Sequence, residues 1–123
     1  MCEKRLYQRL QLNIDVVCYI NGIEFLANLK DISESGIAFE VTSETPEIEI
    51  LKIGDEIKFW GVDCFKYLGF MKQTVISGAC RVVRIDGEGD KVVIGCKLLY
   101  DKHLQNYIKD RKVARFINNG FTL

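Results

Sequence analysis

Residues 12–29 read LNIDVVCYINGIEFLANL. Apolar side chains fall at Leu12, Ile14, Val16, Cys18 and Ile20, every second position, which is the period of a strand with one buried face. Asn21-Gly22 then supplies two residues that tolerate positive φ, the sequence of a type I′ hairpin turn. The alternation resumes at Ile23, Phe25, Ala27 and Leu29. The stretch is a β-hairpin.

Downstream, Asp31-Ile32-Ser33-Glu34-Ser35-Gly36 is a polar turn, and Ile37, Phe39 and Val41 set the inward face of a third strand. Residues 42–50, around Pro46 with Glu44, Glu47 and Glu49, form an acidic loop. Leu51 to Asp55 turns into a fourth strand over residues 56–62. Residues 63–72 are apolar but irregular and receive no assignment. Two more strands, at about 75–86 and 90–99, are joined by Gly87-Glu88-Gly89-Asp90. Asp101 suits the N-cap of a helix running to about Ile117, with Asn118-Asn119-Gly120 as its stop. Leu104, Tyr107 and Ile108 give its first half one apolar face. Val113, Ala114, Phe116 and Ile117 spread around its second half, which suggests contacts on more than one side. The expected fold is mainly β: a six-stranded antiparallel β-barrel with a C-terminal α-helix. Residues 1–10, basic and amphipathic, are expected to form a flexible N-terminal arm, and residues 11–123 the barrel domain.

The 123-residue chain is 48% hydrophobic and 28% charged, the balance of an ordinary globular domain with a core of its own. Its formal net charge is zero. A general DNA or RNA binder carries a basic footprint, so nucleic acid is not an expected partner. The five cysteines, Cys2, Cys18, Cys64, Cys80 and Cys96, are odd in number and widely spaced, and His103 is the single histidine. That argues against a disulfide framework and offers no metal-ligand spacing. Cys18, Cys80 and Cys96 read as small buried hydrophobes in a reducing compartment. No nucleophile–base pair is visible, so no catalytic residue is expected. The chain shows no signal-peptide pattern and no apolar run of about 18 residues, so a cytoplasmic protein without membrane insertion is expected.

Two short motifs flank the hairpin. Arg5 and Arg9 form an R-x-x-x-R pair on the arm, and Asp31, Ser33 and Gly36 form a D-x-S-x-x-G turn. A guanidinium can bond a phosphate bidentately, bond the O6/N7 edge of guanine, or stack on a base. The Asp carboxylate can accept from guanine N1–H and N2–H₂, and the Ser33 hydroxyl can bond phosphate. The same residues also suit a plain turn, with Gly36 permitting positive φ. Asp31 keeps the parity of the inward residues Ile23 to Leu29, so it either faces the barrel end or marks a broken strand. A second R-x-x-x-R copy, Arg111 and Arg115, lies on the predicted helix and reads as one solvated face.

The pair of motifs, 22 residues apart from Arg9 to Asp31 with a hairpin between them, resembles the PilZ domain family. That family's pattern is R-x-x-x-R, a strand pair, D/N-x-S-x-x-G and a six-stranded barrel. Gly36-Ile37-Ala38-Phe39-Glu40 continues into the next strand as in the family, and the likeness extends through Ile94-Gly95-Cys96 and the C-terminal helix. The resemblance implies a non-catalytic receptor for cyclic di-GMP, a bacterial second messenger, bound as a ligand and not as a cofactor. It implies that Arg5 and Arg9 grip phosphate and guanine, that Asp31 and Ser33 complete the site, and that Gly36 shapes the loop. Lys4, a third positive charge, would help to hold a second ligand molecule. Binding would change the arm's position, and an unidentified downstream protein in motility or exopolysaccharide control would read that change. The alternative is a ligand-independent protein-interaction module using the acidic segment Glu44–Glu49 or the broadly apolar helix end.

Overall fold

The computed structural model describes residues 9–42 and 44–118. Its strands are β1 (Leu10–Ile20), β2 (Ile23–Ile32), β3 (Gly36–Thr42), β4 (Glu56–Tyr67), β5 (Phe70–Glu88) and β6 (Lys91–Leu98), and its helix is α1 (Lys102–Asn118). All pairings are antiparallel, in the order β1-β2-β3-β6-β5-β4, and β1 pairs with β4 to close the sheet into a ring. The expected six strands and terminal helix are present. Asn21 and Gly22, both at positive φ, make the turn of the first hairpin. The acidic segment carries a short 3-10 helix, Pro46–Ile50.

The unassigned residues 63–72 are a second hairpin. β4 runs through to Tyr67, Leu68 and Gly69 turn at φ 51° and 85°, and β5 begins at Phe70. Leucine is an unusual occupant of a positive-φ position, which is why the turn left no sequence signal.

The ring interior holds one apolar cluster drawn from every strand, including Val16, Cys18, Leu29, Phe39, Phe59, Ile76, Cys80, Ile94 and Cys96. Phe59 is buried while its neighbour Trp60 is half-exposed outside, as strand alternation requires. Helix α1 packs on β4, β5 and β1 through Leu104, Tyr107, Ile108 and Ala114. Asp101 caps it, accepting the Leu104 N–H at 3.0 Å. Gly78 leaves room for the helix, because a Cβ there would meet Leu104 Cδ2 and Phe59 Cζ at 3.0 Å.

Three register shifts interrupt the ladders, and two of them, bulges in β2 and β5, reset the alternation of their strands. In β2 the inward residues run Phe25, Ala27, Leu29 and then Ile32. Lys30 is the extra residue between the pairs Leu29–Phe39 and Asp31–Ala38. Unbroken alternation would point Asp31 at the core; the bulge turns it to the outer face. In β5, Val83 is the extra residue between Val82–Cys96 and Arg84–Gly95.

Candidate functional site

Pairing of Leu10 with Ile32 and Gln11 with Asp31 carries the start of β1 to the turn between β2 and β3. Arg9, one residue earlier, therefore reaches the signature turn. Its Nη1 lies 2.6 Å from Asp31 Oδ1, with the two side chains 28% and 18% exposed. The pair is part-buried but keeps a water-facing edge, so a partner arriving from solvent can reach either group. Arg5 and Lys4 lie outside the described residues.

Ser33 is the turn's internal brace. It is buried, and its Oγ accepts N–H bonds from Gly36 at 3.1 Å and Ser35 at 3.3 Å. The Ser33 N–H in turn donates to the Gly36 carbonyl at 2.8 Å. With two bonds accepted, the hydroxyl retains its hydrogen for donation. Gly36 does not take the positive φ that a plain turn would use. It matters instead for space: a Cβ there would lie 3.5 Å from the Cys96 carbonyl, 3.7 Å from Arg9 Nη2 and 3.8 Å from Ser33 Oγ. Arg9, Asp31, Ser33 and Gly36 thus meet in one patch, with a guanidinium and a carboxylate at the surface over a braced backbone turn.

The second R-x-x-x-R copy is not a solvated face. Arg111 Nε stands 2.8 Å from Asp63 Oδ2, with side chains 20% and 6% exposed. The contact is ionic, without hydrogen-bond alignment at Nε. The guanidinium also lies 4.8 Å from the Phe65 ring centroid. Tyr107 donates to the same Oδ2 at 2.7 Å. Burial, reinforced by Asp63 and opposed by Arg111, raises the Tyr107 pKa above the usual tyrosine value. Arg115 Nη2 donates to the Gln11 carbonyl at 2.6 Å. Asp63 continues the inward parity of Ile57, Phe59 and Gly61 ahead of Phe65, and an acid at such a position needs a cation.

Helix α1 also holds the signature turn. Lys112 pairs with Glu34, and Gln105 Nε2 donates to the Glu34 carbonyl at 3.0 Å. A hollow of about 430 Å³ lies on this side, lined by Glu34, Tyr100, Lys102 and Lys109 among others. Arg9 and Asp31 do not line it. Cys18, Cys80 and Cys96 are buried and Cys64 is exposed. Among the described residues no cluster of His, Cys, Asp and Glu could hold a metal ion, and no helix is long and apolar enough to cross a membrane.

The family model described as PilZ domain matches residues 3–117. The chain belongs to the PilZ domain family. Solved structures share its fold. The Bacillus subtilis inhibitor of motility MotI/DgrA aligns with TM-score 0.69 at 17% identity, over 98% of this chain and 55% of that one. The complex of K. pneumonia MrkH with c-di-GMP aligns with TM-score 0.62 at 17% identity, over 96% and 53%. The PilZ domain of YcgR from Escherichia coli, solved with c-di-GMP, aligns with TM-score 0.56 at 13% identity, over 97% and 100%. This PilZ chain thus spans about half the length of MotI/DgrA and MrkH. No curated protein matches the sequence.

Proposed function

We propose that this PilZ domain is a non-catalytic cyclic di-GMP receptor that signals to a partner protein. The carrying observation is that Arg9 is brought onto the turn of Asp31, Ser33 and Gly36, 22 residues on in sequence, with the Arg9 and Asp31 side chains keeping a water-facing edge over the buried Ser33 and Gly36. Structural neighbours solved with the same ligand support the reading. Arg9 would bond a ligand phosphate or stack on a guanine, and Asp31 would accept from the guanine N1–H and N2–H₂. The Ser33 hydroxyl would donate to phosphate. Arg5 would add the second guanidinium and Lys4 a third positive charge toward a second ligand molecule. Opening the part-buried Arg9–Asp31 pair would be offset by the several charge-assisted bonds a ligand brings, each worth about 1.5–3 kcal/mol.

The segment that precedes Leu10 would be drawn toward the sheet by the ligand, and its new position would be read by a cytoplasmic partner in motility or exopolysaccharide control. Calorimetric titration with cyclic di-GMP beside cyclic di-AMP and GTP tests the function. Selective binding of cyclic di-GMP is expected. Binding of none of the three would favour a ligand-independent interaction module. That second reading has its own observation: Leu26, Trp60, Val62 and Val75 are exposed on neighbouring strands of the outer sheet face.

A further inference from the structure

The two β-bulges act on the same row of the sheet. Lys30 turns Asp31 outward, and Val83 does the same for Arg84. The pairings Asp31–Ala38, Ala38–Gly95 and Gly95–Arg84 then place the two residues at the ends of one cross-strand row over β2, β3, β6 and β5. Without the bulge Arg84 would share the inward parity of Val82, and a guanidinium would face the core. Ile85 takes the inward place instead, opposite Ile94.

The Arg84 side chain lies back across the row toward Asp31. Its Nη2 is 3.4 Å, and its Cζ 3.5 Å, from where a Cβ of Gly95 would stand. Its Nε pairs with Asp86 Oδ2 at 2.7 Å, which leaves the Nη edge over the glycine. Arg9 is placed in the same manner one strand away, with Nη2 3.7 Å from the Cβ position of Gly36 and Nη1 on Asp31. Gly36 pairs with Lys97 and Ala38 with Gly95, so Gly36 and Gly95 are diagonal neighbours on β3 and β6. Diagonal neighbours stand about 7–8 Å apart. A flat base held between two guanidiniums needs two van der Waals contacts, about 7 Å in all. Each guanidinium is anchored by an acid that is at least partly exposed to water, and each overlies a position without a side chain.

Taking this face as the cyclic di-GMP site proposed above, we propose that Arg84 is a further ligand-binding residue, which clamps a guanine base from the side opposite Arg9. Asp86 is its positioning residue, as Asp31 is for Arg9 before ligand arrives. The site then extends beyond the signature turn across β6 to β5, and the Val83 bulge is what admits β5 to it.

Calorimetric titration of the full chain with cyclic di-GMP tests the clamp, using Arg84→Ala, Arg84→Lys, Arg9→Ala and, as a charge control on the outer face of β4, Lys58→Ala. Arg84 is more than half exposed, so its removal leaves the fold intact, which a thermal melt checks. Arg84→Ala is expected to weaken binding about tenfold, the scale of a cation stacked on a ring. Arg84→Lys should recover little, because an ammonium is not a plate. Lys58→Ala should stay within about twofold. Wild-type affinity in Arg84→Ala beside a large loss in Arg9→Ala would overturn the clamp and leave the receptor function standing. Full recovery by Arg84→Lys would reduce Arg84 to a charge and overturn the stacking role. Absence of binding by the wild-type chain would overturn both.

Discussion

The two R-x-x-x-R copies end in the same chemistry, an arginine on an aspartate, and in opposite surroundings. Arg9 and Asp31 meet at the rim of the sheet, both partly open to water, over a glycine. Arg111 and Asp63 meet against Phe65, with Tyr107 bonded to the same carboxylate and Asp63 almost wholly buried. A buried pair is costly to break, because the partner left behind is an uncompensated charge; a pair that keeps a water-facing edge opens at lower cost, because water can reach the charge left behind. The first arrangement is suited to partner exchange and the second to holding α1 on β4. Spacing in the sequence is identical, so the difference lies in what the sheet places beneath each arginine.

The widest gap between the two pairs should appear on removing their acids. Asp63→Ala is expected to cost about 3 kcal/mol, a fall of roughly 10 °C in melting temperature, while the folded fraction keeps its affinity for cyclic di-GMP. Asp31→Ala should leave the melting temperature within about 3 °C. Equal shifts in a thermal melt would break the distinction. The next largest effect is on the other side: Arg9→Ala should weaken cyclic di-GMP binding roughly 10- to 150-fold through loss of a charge-assisted bond, with stability nearly unchanged. Arg111→Ala should do the reverse, lowering stability and sparing affinity. Calorimetry and melting curves on both variants decide it.

The fold was legible wherever alternation was regular. β1, β2 and β3 follow from period two and from Asn21-Gly22, and α1 from Asp101. The hairpin at Leu68-Gly69 was not, because its turn conformation falls on a residue with no propensity for it. The site was half legible. The signature residues could be named, but the direction of Asp31 could not, since a bulge shifts phase without changing composition. The phase break itself is in the chain: inward residues step by two to Leu29 and then by three to Ile32, and likewise from Val82 to Ile85. The Arg111–Asp63 pair stayed hidden because its partners lie far apart in sequence, and a helix-face pattern alone does not show what a face packs against.

The locked pair also carries a pH signature, through Tyr107. Tyr107 keeps its proton above the ordinary tyrosine range, chiefly through burial and then through Asp63. The unfolded chain loses that proton near pH 10. The stability this group contributes is therefore complete below about pH 10 and is lost as pH rises further. Cys18, pushed up to about 12 by burial and then by Cys96, declines in the same direction from its ordinary value of 9.0. Tyr107→Phe should lower stability by about 1 kcal/mol at pH 7 and flatten the decline above pH 10, leaving the cysteine part. An unchanged slope in melts between pH 8 and 12 would detach Tyr107 from the pair.

The smallest effect is the most diagnostic, because stability and binding should move in opposite directions. At Gly36 the backbone is not left-handed, and an added Cβ would meet its neighbours only at ordinary contact distances, 3.5–3.8 Å. Gly36→Ala should therefore leave the fold intact and raise its stability by up to about 1 kcal/mol, through the smaller entropy of the unfolded chain. The same methyl would occupy the space beneath Arg9 on the face where a ligand would lie, so affinity for cyclic di-GMP should fall about three- to tenfold, at most about 1.4 kcal/mol. If glycine were required only to form the turn, both quantities would fall together. A melting temperature that rises while the dissociation constant rises would show that Gly36 keeps open a surface over the turn that Ser33 braces.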